Sequence, residues 1–312
     1  MRILIAVCML TLVAHAGRAQ STTAFDFLRL EPSARAAALG GTAVVLTDAD
    51  VGAFFYNPAL LNVDMDRQAS ITYLNHLSDL QAGFAGYSRD FGPIGTAALG
   101  VRFVHWGTIA KADEFGEVTG EFTAGDLAFT LGMARSYGED LRYGLNVHAA
   151  YTSVAEYGAV ALAADAGLVW HHPEALLTLA GSINNLGLFV ESLGTSQDRL
   201  PLDARISVSK RLRHIPVLAA LTLHSLQDSF ELTSPEEAFR HAIFSLEFQA
   251  IPVFHIRIGY SHNRRNLKSD SRLDLAGFGT GFGLRIRGIG LDYAYSSWSF
   301  AGLHRFTLKS RL

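Results

Sequence analysis

The chain has 312 residues, a formal net charge of −3 and one cysteine, and 49% of its residues are hydrophobic. A charge this small, without a long basic run, gives no positive field for nucleic acid, so a nucleic-acid partner is not expected. A single cysteine excludes a disulfide framework within the chain.

The first residues of the chain, 1–19, predict a secretory signal peptide. A basic residue at position 2 is followed by an apolar stretch, Ile3 to Val13, and then by small residues at the spacing of a cleavage site. We expect cleavage before Gln20. The cysteine, Cys8, lies in the predicted signal peptide, so we expect no thiol chemistry in the mature protein.

Residues 20–66 form a second predicted unit, here called the hatch, which lacks sustained alternation of apolar and polar residues. An alanine-rich stretch predicts one short helix that ends at the glycine pair 40–41. Near the end, Pro58 predicts a turn that stops the preceding aromatic residues from continuing as a strand. We expect the hatch to sit inside the mouth of a barrel. Its candidate residues are Ser33, Arg35, Gly40, Gly41, Asn57 and Pro58.

Residues 67–312 are dominated by period-two alternation, as in the stretch 254–261, where apolar and polar residues take turns. About fourteen such segments are predicted as strands, centred near residues 72, 84, 99, 129, 146, 163, 179, 206, 220, 246, 257, 280, 292 and 307. An even number of strands suits a closed barrel. The fold prediction is therefore an all-β, antiparallel, transmembrane β-barrel of the outer-membrane type, preceded by the hatch.

A soluble β-sandwich or lipocalin-like barrel would also show alternation. Its core would then have to hold many charged side chains, and burying an unpaired charge is costly. A water-filled or plugged lumen accommodates them, which favours the membrane barrel. The charged residues on the polar faces are Arg102, Arg142, Asp203, Arg205, Glu247, Arg257, Arg285 and Asp292.

The run GFGTGFG, residues 277–283, places glycine at every second position and fits neither G-x-G-x-x-G nor a phosphate-binding loop. Glycines on one face of a strand indicate that another backbone approaches closely. We expect the hatch to pack on this row, although the glycines could instead relieve strain where the barrel bends. The row consists of Gly277, Gly279, Gly281 and Gly283.

No catalytic, cofactor or metal site is predicted. The histidines do not follow H-E-x-x-H spacing, the acidic stretch 112–122 lacks the EF-hand pattern, and no serine lies in a G-x-S-x-G elbow. We expect a protein that is not an enzyme.

Connections between the predicted strands tend to alternate between short turns and long polar loops, although two connections on the long side, near residues 76–79 and 153–158, are short. This asymmetry is typical of outer-membrane barrels, whose long loops face outward. The long loops are predicted at 106–124, 184–200, 225–240 and 263–271. Aromatic residues in the first three of these loops are expected to contact partner proteins. They are Phe115, Phe122, Phe189 and Phe230.

The stretch FLRLEPSARAAALGGTAVVLTDADVGAFFYNPALLN, followed by the strand SITYLNHL, resembles the start of the PorQ-like and PorV-like proteins of the type IX secretion system. These belong to the broader FadL-like family of outer-membrane barrels with fourteen strands and an N-terminal hatch. The elements SARAAALGG and NPALL are shared across FadL-like proteins, and GTIAKADEFGEVTGEF extends the similarity.

The resemblance implies a scaffold embedded in outer-membrane lipid, with PorZ-like, PorV-like and PorU-like proteins and secreted cargo as partners. In that role cargo is processed and anchored at the cell surface. The alternative function is FadL-type transport of hydrophobic small molecules. Polar lumen faces disfavour a fatty-acid conduit, but an apolar pocket near Phe54, Phe55 and Leu60 stays open.

Overall fold

The computed structural model describes residues 24–41, 44–75, 80–192, 199–228, 239–265, 276–298 and 301–312. In this part of the chain fourteen antiparallel strands form a closed barrel, which confirms the predicted fold. The predicted signal peptide, residues 1–19, lies outside the described residues. No helix in the described ranges is long and apolar enough to cross a membrane.

Each strand pairs with its neighbours in sequence, and β14 returns to pair with β1, so that Gln68 lies opposite Arg311. Every predicted strand centre falls within a strand. The strands are β1 Gln68–Asn75, β2 Gln81–Asp90, β3 Thr96–Ala112, β4 Val118–Tyr137, β5 Leu141–Val154, β6 Tyr157–His172, β7 Leu177–Glu191, β8 Asp203–Arg211, β9 Val217–Leu223, β10 Ala242–Ile251, β11 Phe254–Ser261, β12 Phe278–Ile286, β13 Ile289–Trp298 and β14 Ala301–Arg311.

The two ends of the barrel differ in their connections. At one end, here called the short-turn end, the strands are joined by 91–95, 138–140, 173–176, 212–216, 252–253 and 287–288. The opposite end is called the long-loop end, and it carries connections as long as 224–241. In barrels of this type the short-turn end faces the periplasm.

The predicted loop at 106–124 is wrong for most of its length. β3 and β4 stay paired to Ala112 and Val118, so the connection is only 113–117. Among the described residues, the pairing of β3 with β2 ends at His105 and Gln81. The pairing of β4 with β5 ends at Ala124 and Val154. Residues 106–123 therefore form a hairpin, here called the β3–β4 hairpin tip, that extends beyond both neighbouring strands.

The wall is apolar outside and polar inside. Along β11, Ile256 and Ile258 are about half exposed, whereas Arg257 between them is fully buried. The same outward exposure of large apolar side chains recurs around the barrel, for example at Leu145 and Leu308. Such an apolar belt is stable in contact with the hydrocarbon of a membrane. In water it would be unstable, because every outward apolar side chain would be exposed to solvent.

The hatch residues that the structure describes, 24–41 and 44–66, lie in the lumen as short helical turns. The helix α1 is Ala34–Ala38, and four 3-10 turns cover Asp26–Arg29, Val51–Phe55, Pro58–Leu60 and Val63–Met65. Side chains cap these turns: Ser33 accepts from Ala36 N–H, Asp50 from Gly52 N–H and Asn62 from Asp64 N–H. Outside the hatch lie a 3-10 turn, Gly92–Ile94, and the helix α2, His262–Arg265.

Candidate functional site

The hatch runs through the lumen from the long-loop end to the short-turn end. Phe25 and Phe27 pack near the long-loop end, against residues that include Leu74 and Phe84. At the other end of the hatch, the Ser88 hydroxyl donates to the Met65 carbonyl over 2.6 Å. The described part of the lumen is therefore filled along its length by a segment that the wall binds at both ends.

The turn at Asn57 and Pro58 sits against glycines of the wall. A Cβ added at Gly144 would lie 2.6 Å from the Pro58 carbonyl carbon, and one at Gly167 would overlap the Asn57 side chain. A Cβ at Gly132 would lie 2.8 Å from the Phe54 ring. These glycines make room for a backbone that would otherwise be held away from the wall.

Hydrogen bonds fix this turn. Fully buried Asn57 accepts from Ala59 N–H over 3.0 Å and donates to the Val44 carbonyl over 3.1 Å. From the wall, Asn146 donates to the Phe54 carbonyl and Asn184 donates to the Tyr56 carbonyl, each over 2.9 Å. The Asn57–Pro58 turn is thus satisfied on both sides, as buried backbone requires.

The predicted glycine row lies beside the end of α1. A Cβ at Gly279 would overlap the Ala37 carbonyl, and one at Gly281 would lie 2.8 Å from the Ala38 methyl group. Gly283 adjoins the side chains of Arg257 and Asp292 instead, and Gly277 precedes β12 with φ +93°.

A neighbouring glycine, Gly259 of β11, was not predicted as part of this contact. A Cβ there would overlap the backbone of Leu39 and Gly40, where the helix ends. Gly40 and Gly41 themselves have φ of +85° and +97°, which glycine adopts without strain. Gly259 lies on the polar face of the alternating stretch FHIRIGYS, residues 254–261. This alternation is the sequence signal that places Gly259 toward the lumen.

Arg35 of α1 is the centre of a buried ion network. Its Nε and Nη2 donate to the two carboxylate oxygens of Glu247, each over 2.8 Å, and its Nη1 donates to Asp48 over 2.7 Å. Burial acts to lower the pKa of Arg35, but the charges of Asp48 and Glu247 outweigh it and raise this pKa well above its usual value. Arg35 is therefore held in its charged form.

Lys309 of β14 continues the network along the same side of the wall. Its Nζ lies 2.7 Å from Asp50 of the hatch and 2.7 Å from Asp292 of β13. Arg257 bridges Glu247 and Asp292, and Arg285 lies 3.6 Å from Asp48. The network contains equal numbers of cations and carboxylates: Arg35, Arg257, Arg285, Lys309, Asp48, Asp50, Glu247 and Asp292.

A separate ion pair joins Glu31 of the hatch to Arg305 of β14, and Arg305 also donates to Ser296 over 3.1 Å. Arg305 is fully buried. A buried charge of this kind is tolerated only with a partner, so removing either side leaves an expensive unpaired ion.

A narrow cleft remains between the hatch and the wall. Two arginines lie over aromatic rings of the hatch there, Arg102 at 4.5 Å from the Phe55 centroid and Arg205 at 5.2 Å from the Tyr56 centroid. The other residues lining the cleft are Leu28, Arg29, Leu30, Pro32, Asn184 and Asn185.

A hydroxyl, an imidazole and a carboxylate line up across β4, β5 and β6. Thr130 Oγ1 lies 2.8 Å from His148 Nδ1, and His148 Nε2 lies 2.6 Å from Asp165 Oδ2. All three residues are buried, and Asp165 also accepts from Asn146 and from Asn185 N–H. The hydroxyl has no access to a substrate, so the arrangement stabilises the wall.

In the described residues no group of three or more His, Cys, Asp or Glu could hold a metal.

The four predicted partner-contact phenylalanines are placed differently. Phe115 lies in the turn 113–117 and is 84% exposed, whereas Phe122 is half-buried within strand β4. Phe189 is in β7, and its ring packs on Phe25 of the hatch with centroids 5.3 Å apart. Phe230 lies outside the described residues.

A closed barrel of fourteen strands, apolar outside and filled by its own N-terminal segment, defines a barrel of the outer-membrane type with a plugged lumen. Solved structures share this fold. The chain is similar to the toluene transporter TbuX of Ralstonia pickettii at 12% identity, covering 90% of this chain and 98% of that one with a TM-score of 0.60.

Two further structures are similar. One is a mutant of the monoaromatic hydrocarbon channel TodX, at 11% identity, 92% and 98% coverage and a TM-score of 0.56. The other is a FadL homologue of Pseudomonas aeruginosa, at 10% identity, 89% and 98% coverage and a TM-score of 0.54. No family model matches the sequence, and no curated protein matches it. The likeness therefore establishes a FadL-like barrel fold.

Proposed function

We propose that this chain is an outer-membrane transport barrel that passes a small, partly hydrophobic molecule through a lumen gated by the hatch. The observation that carries this proposal is the hatch itself, which fills the described lumen from Phe25 to Met65 while a cleft stays open beside Phe55 and Tyr56. Passage along the lumen requires these residues to move.

The similar solved structures support a transport function over a role in secretion. Two of the similar structures are described as a toluene transporter and a monoaromatic hydrocarbon channel. The sequence alone predicts a polar lumen, which disfavours a conduit for hydrophobic molecules. The structure weakens this objection, because it pairs charged side chains of the lumen with partners of opposite charge. Glu247 and Arg305 bind side chains of the hatch, and Asp292 binds Arg257 of the wall. Their charges are therefore compensated and do not line an open path.

Uptake by whole cells tests this function, because an intact lipopolysaccharide leaflet slows hydrophobic solutes that would cross a phospholipid vesicle unaided. Cells that lack other hydrophobic-uptake barrels would express the chain or carry an empty vector. Initial uptake of radiolabelled toluene, benzoate and oleate would be compared. We expect several-fold faster uptake of at least one compound. Equal rates for all three in both strains would contradict the proposal.

A second candidate function is the scaffold of a type IX secretion complex with PorZ-like, PorV-like and PorU-like partners. The observation that favours it is the β3–β4 hairpin tip, which extends beyond the neighbouring strands and exposes Phe115 and Val118. Replacing residues 108–121 with a two-residue turn and repeating a pull-down from membranes tests this role. Loss of partner proteins supports the scaffold, and an unchanged set of partners removes the hairpin tip from it.

A further inference from the structure

Positive side chains lie on the outer surface of the barrel at its short-turn end. Arg89 of β2, Arg135 of β4 and Lys210 of β8 are exposed, and each lies within three residues of the point where its strand ends. Arg287, in the turn between β12 and β13, is exposed as well. These four residues are here called the cationic ring.

The strand cations directly follow the apolar belt. Leu131 and Met133 of β4 face outward and are about half exposed, and Arg135 takes the next outward position. In β8, Ile206 faces outward in the same way, and Lys210 lies four residues further along the same face. The belt therefore ends in positive charge at the depth where membrane hydrocarbon gives way to lipid head groups.

The cationic ring lacks carboxylate partners. In the part of the chain that the structure describes, no ion pair joins any of its four members to an acidic side chain. Arg89 lies over the Phe91 ring at 5.9 Å from the centroid. The adjacent Asp90 faces inward and accepts from the Thr96 hydroxyl over 2.8 Å. A guanidinium without a partner can bind a phosphate group through two parallel hydrogen bonds. Further carboxylates at this end lie in short turns or at the end of the hatch: Glu139, Asp140, Glu174, Asp64 and Asp66.

The outward wall positions at the long-loop end are different. There the exposed side chains include the neutral residues Asn75, Gln81 and Tyr151. The cations of that end, such as Lys111 and Arg240, lie beyond the closed wall, in the β3–β4 hairpin tip and in the connection 224–241. Among the described strands, positive charge on the outer surface of the closed wall therefore marks the short-turn end.

We propose that the cationic ring binds the phosphate groups of anionic phospholipids in the inner leaflet of the outer membrane. The short-turn end of such a barrel faces the periplasm, so the inner leaflet is the one at this depth. Attraction between basic side chains and an anionic leaflet acts within a Debye length, which exposed residues next to the belt satisfy. The inference does not depend on what the barrel transports.

The placement of the ring favours a lipid leaflet over a docked protein. Its members lie on β2, β4, β8 and after β12, which spreads them around the circumference of the fourteen-strand barrel. A leaflet surrounds the barrel completely, whereas a protein would contact one side. The short turns also present exposed apolar side chains that can enter the interface: Phe91, Ile94, Leu212 and Ile215.

Tryptophan fluorescence in vesicles tests the lipid preference. Trp170 lies near the short-turn end of β6, and the double substitution Trp106→Phe/Trp298→Phe leaves it as the sole tryptophan. The protein would be refolded into vesicles of brominated phosphatidylcholine, whose bromine quenches tryptophan on contact. Unbrominated phosphatidylglycerol or phosphatidylcholine would then replace part of this lipid. We expect phosphatidylglycerol to relieve quenching with about fivefold higher relative affinity, and about 1 M salt to abolish this preference.

A triple substitution assigns the preference to the ring. Arg89→Gln/Arg135→Gln/Lys210→Gln should bring the two lipids to equal relative affinity. Arg89→Lys/Arg135→Lys keeps the charges and should keep most of the preference. Heat-modifiable gel mobility checks that each variant is folded. Native mass spectrometry of the unmodified protein from mixed micelles is a second measurement, and should find phosphatidylglycerol retained in excess of phosphatidylcholine.

The matched control removes the same kinds of cation from the long-loop end. Lys111→Gln/Arg199→Gln/Arg240→Gln changes the net charge equally at three exposed positions and should keep the preference. Equal affinity of the two lipids for the unmodified protein would overturn the proposal and favour an acidic protein as the partner of the ring. A preference that survives in the folded ring variant, or that the control loses equally, would also overturn it.

Discussion

Arg35 of the hatch and Glu247 of β10 bind each other through two parallel hydrogen bonds of 2.8 Å, although they are 212 residues apart in sequence. Both side chains are almost completely buried, so neither can turn to water if the other is removed. The stability of the hatch and that of the wall are therefore linked at this pair.

Replacing Arg35 with Met should lower the free energy of unfolding by about 3–5 kcal/mol, because it leaves buried carboxylates without their main cation. Arg35→Lys should cost less, since it keeps the charge but loses the bidentate geometry. Urea unfolding in detergent micelles measures both. Arg29→Met is the control, because Arg29 is an exposed hatch arginine 3.7 Å from Asp26, and surface pairs contribute less than about 1 kcal/mol. If Arg35→Met lowers the free energy of unfolding no more than Arg29→Met does, the claim that the network stabilises the protein is contradicted.

Gly167→Ala should displace the Asn57 side chain and destabilise the protein by about 1–3 kcal/mol, the usual cost of overpacking. Gly120→Ala is the matched control, because a Cβ at that strand glycine meets nothing within 4 Å. The effects of Gly167→Ala and Asn57→Ala should be less than additive, since removal of the amide leaves room for the added methyl group. Strict additivity in the unfolding free energies would argue against direct contact.

Gly279→Val and Gly281→Val should lift the end of α1 from the wall, because the added side chains meet the Ala37 carbonyl and the Ala38 methyl group. We expect faster protease cleavage within residues 24–66, followed by mass spectrometry, with Gly120→Val resistant as the control. Unchanged assembly and unchanged resistance of the hatch would mean that the glycines serve only the curvature of the barrel.

Stability should fall in mild acid because of His224, which follows β9. Burial lowers the pKa of His224 to about 4, with Asp203 opposing this and Arg205 and His241 adding to it. The unfolded chain takes up a proton below its ordinary pKa of roughly 6.5 while the folded protein does not. The contribution of neutral His224 to the free energy of unfolding is therefore full above pH ~6.5. It declines as the pH falls to ~4, by at most about 3 kcal/mol.

Urea midpoints measured between pH 7.5 and pH 4 check this dependence. His224→Gln should flatten the profile in that window, whereas His214→Gln, in the short turn 212–216, should leave it unchanged. A profile of the same slope in His224→Gln would assign the pH dependence to other groups.

The strands could be predicted from sequence because each wall residue faces either hydrocarbon or the lumen, which imposes period two on residues such as Ile256, Arg257 and Ile258. The β3–β4 hairpin tip could not, because both of its faces are exposed and no burial pattern distinguishes a strand from a loop. Gly259 was missed since its role depends on where α1 ends. The cleft joins Tyr56, Arg102 and Arg205 only through the register of the closed barrel, which no local pattern encodes.

The claim that the hatch must move during transport is tested most directly by a reversible crosslink. Ala38 of α1 and Ala294 of β13 are fully buried in one cluster, and the only native cysteine, Cys8, lies in the predicted signal peptide. In cells expressing the double variant A38C/A294C, uptake of the best-transported compound would be measured before oxidation, after oxidation and after reduction. We predict uptake at the empty-vector level when the crosslink is formed and recovery on reduction, with A38C alone unaffected. Equal uptake by the crosslinked and reduced protein would contradict hatch-gated transport.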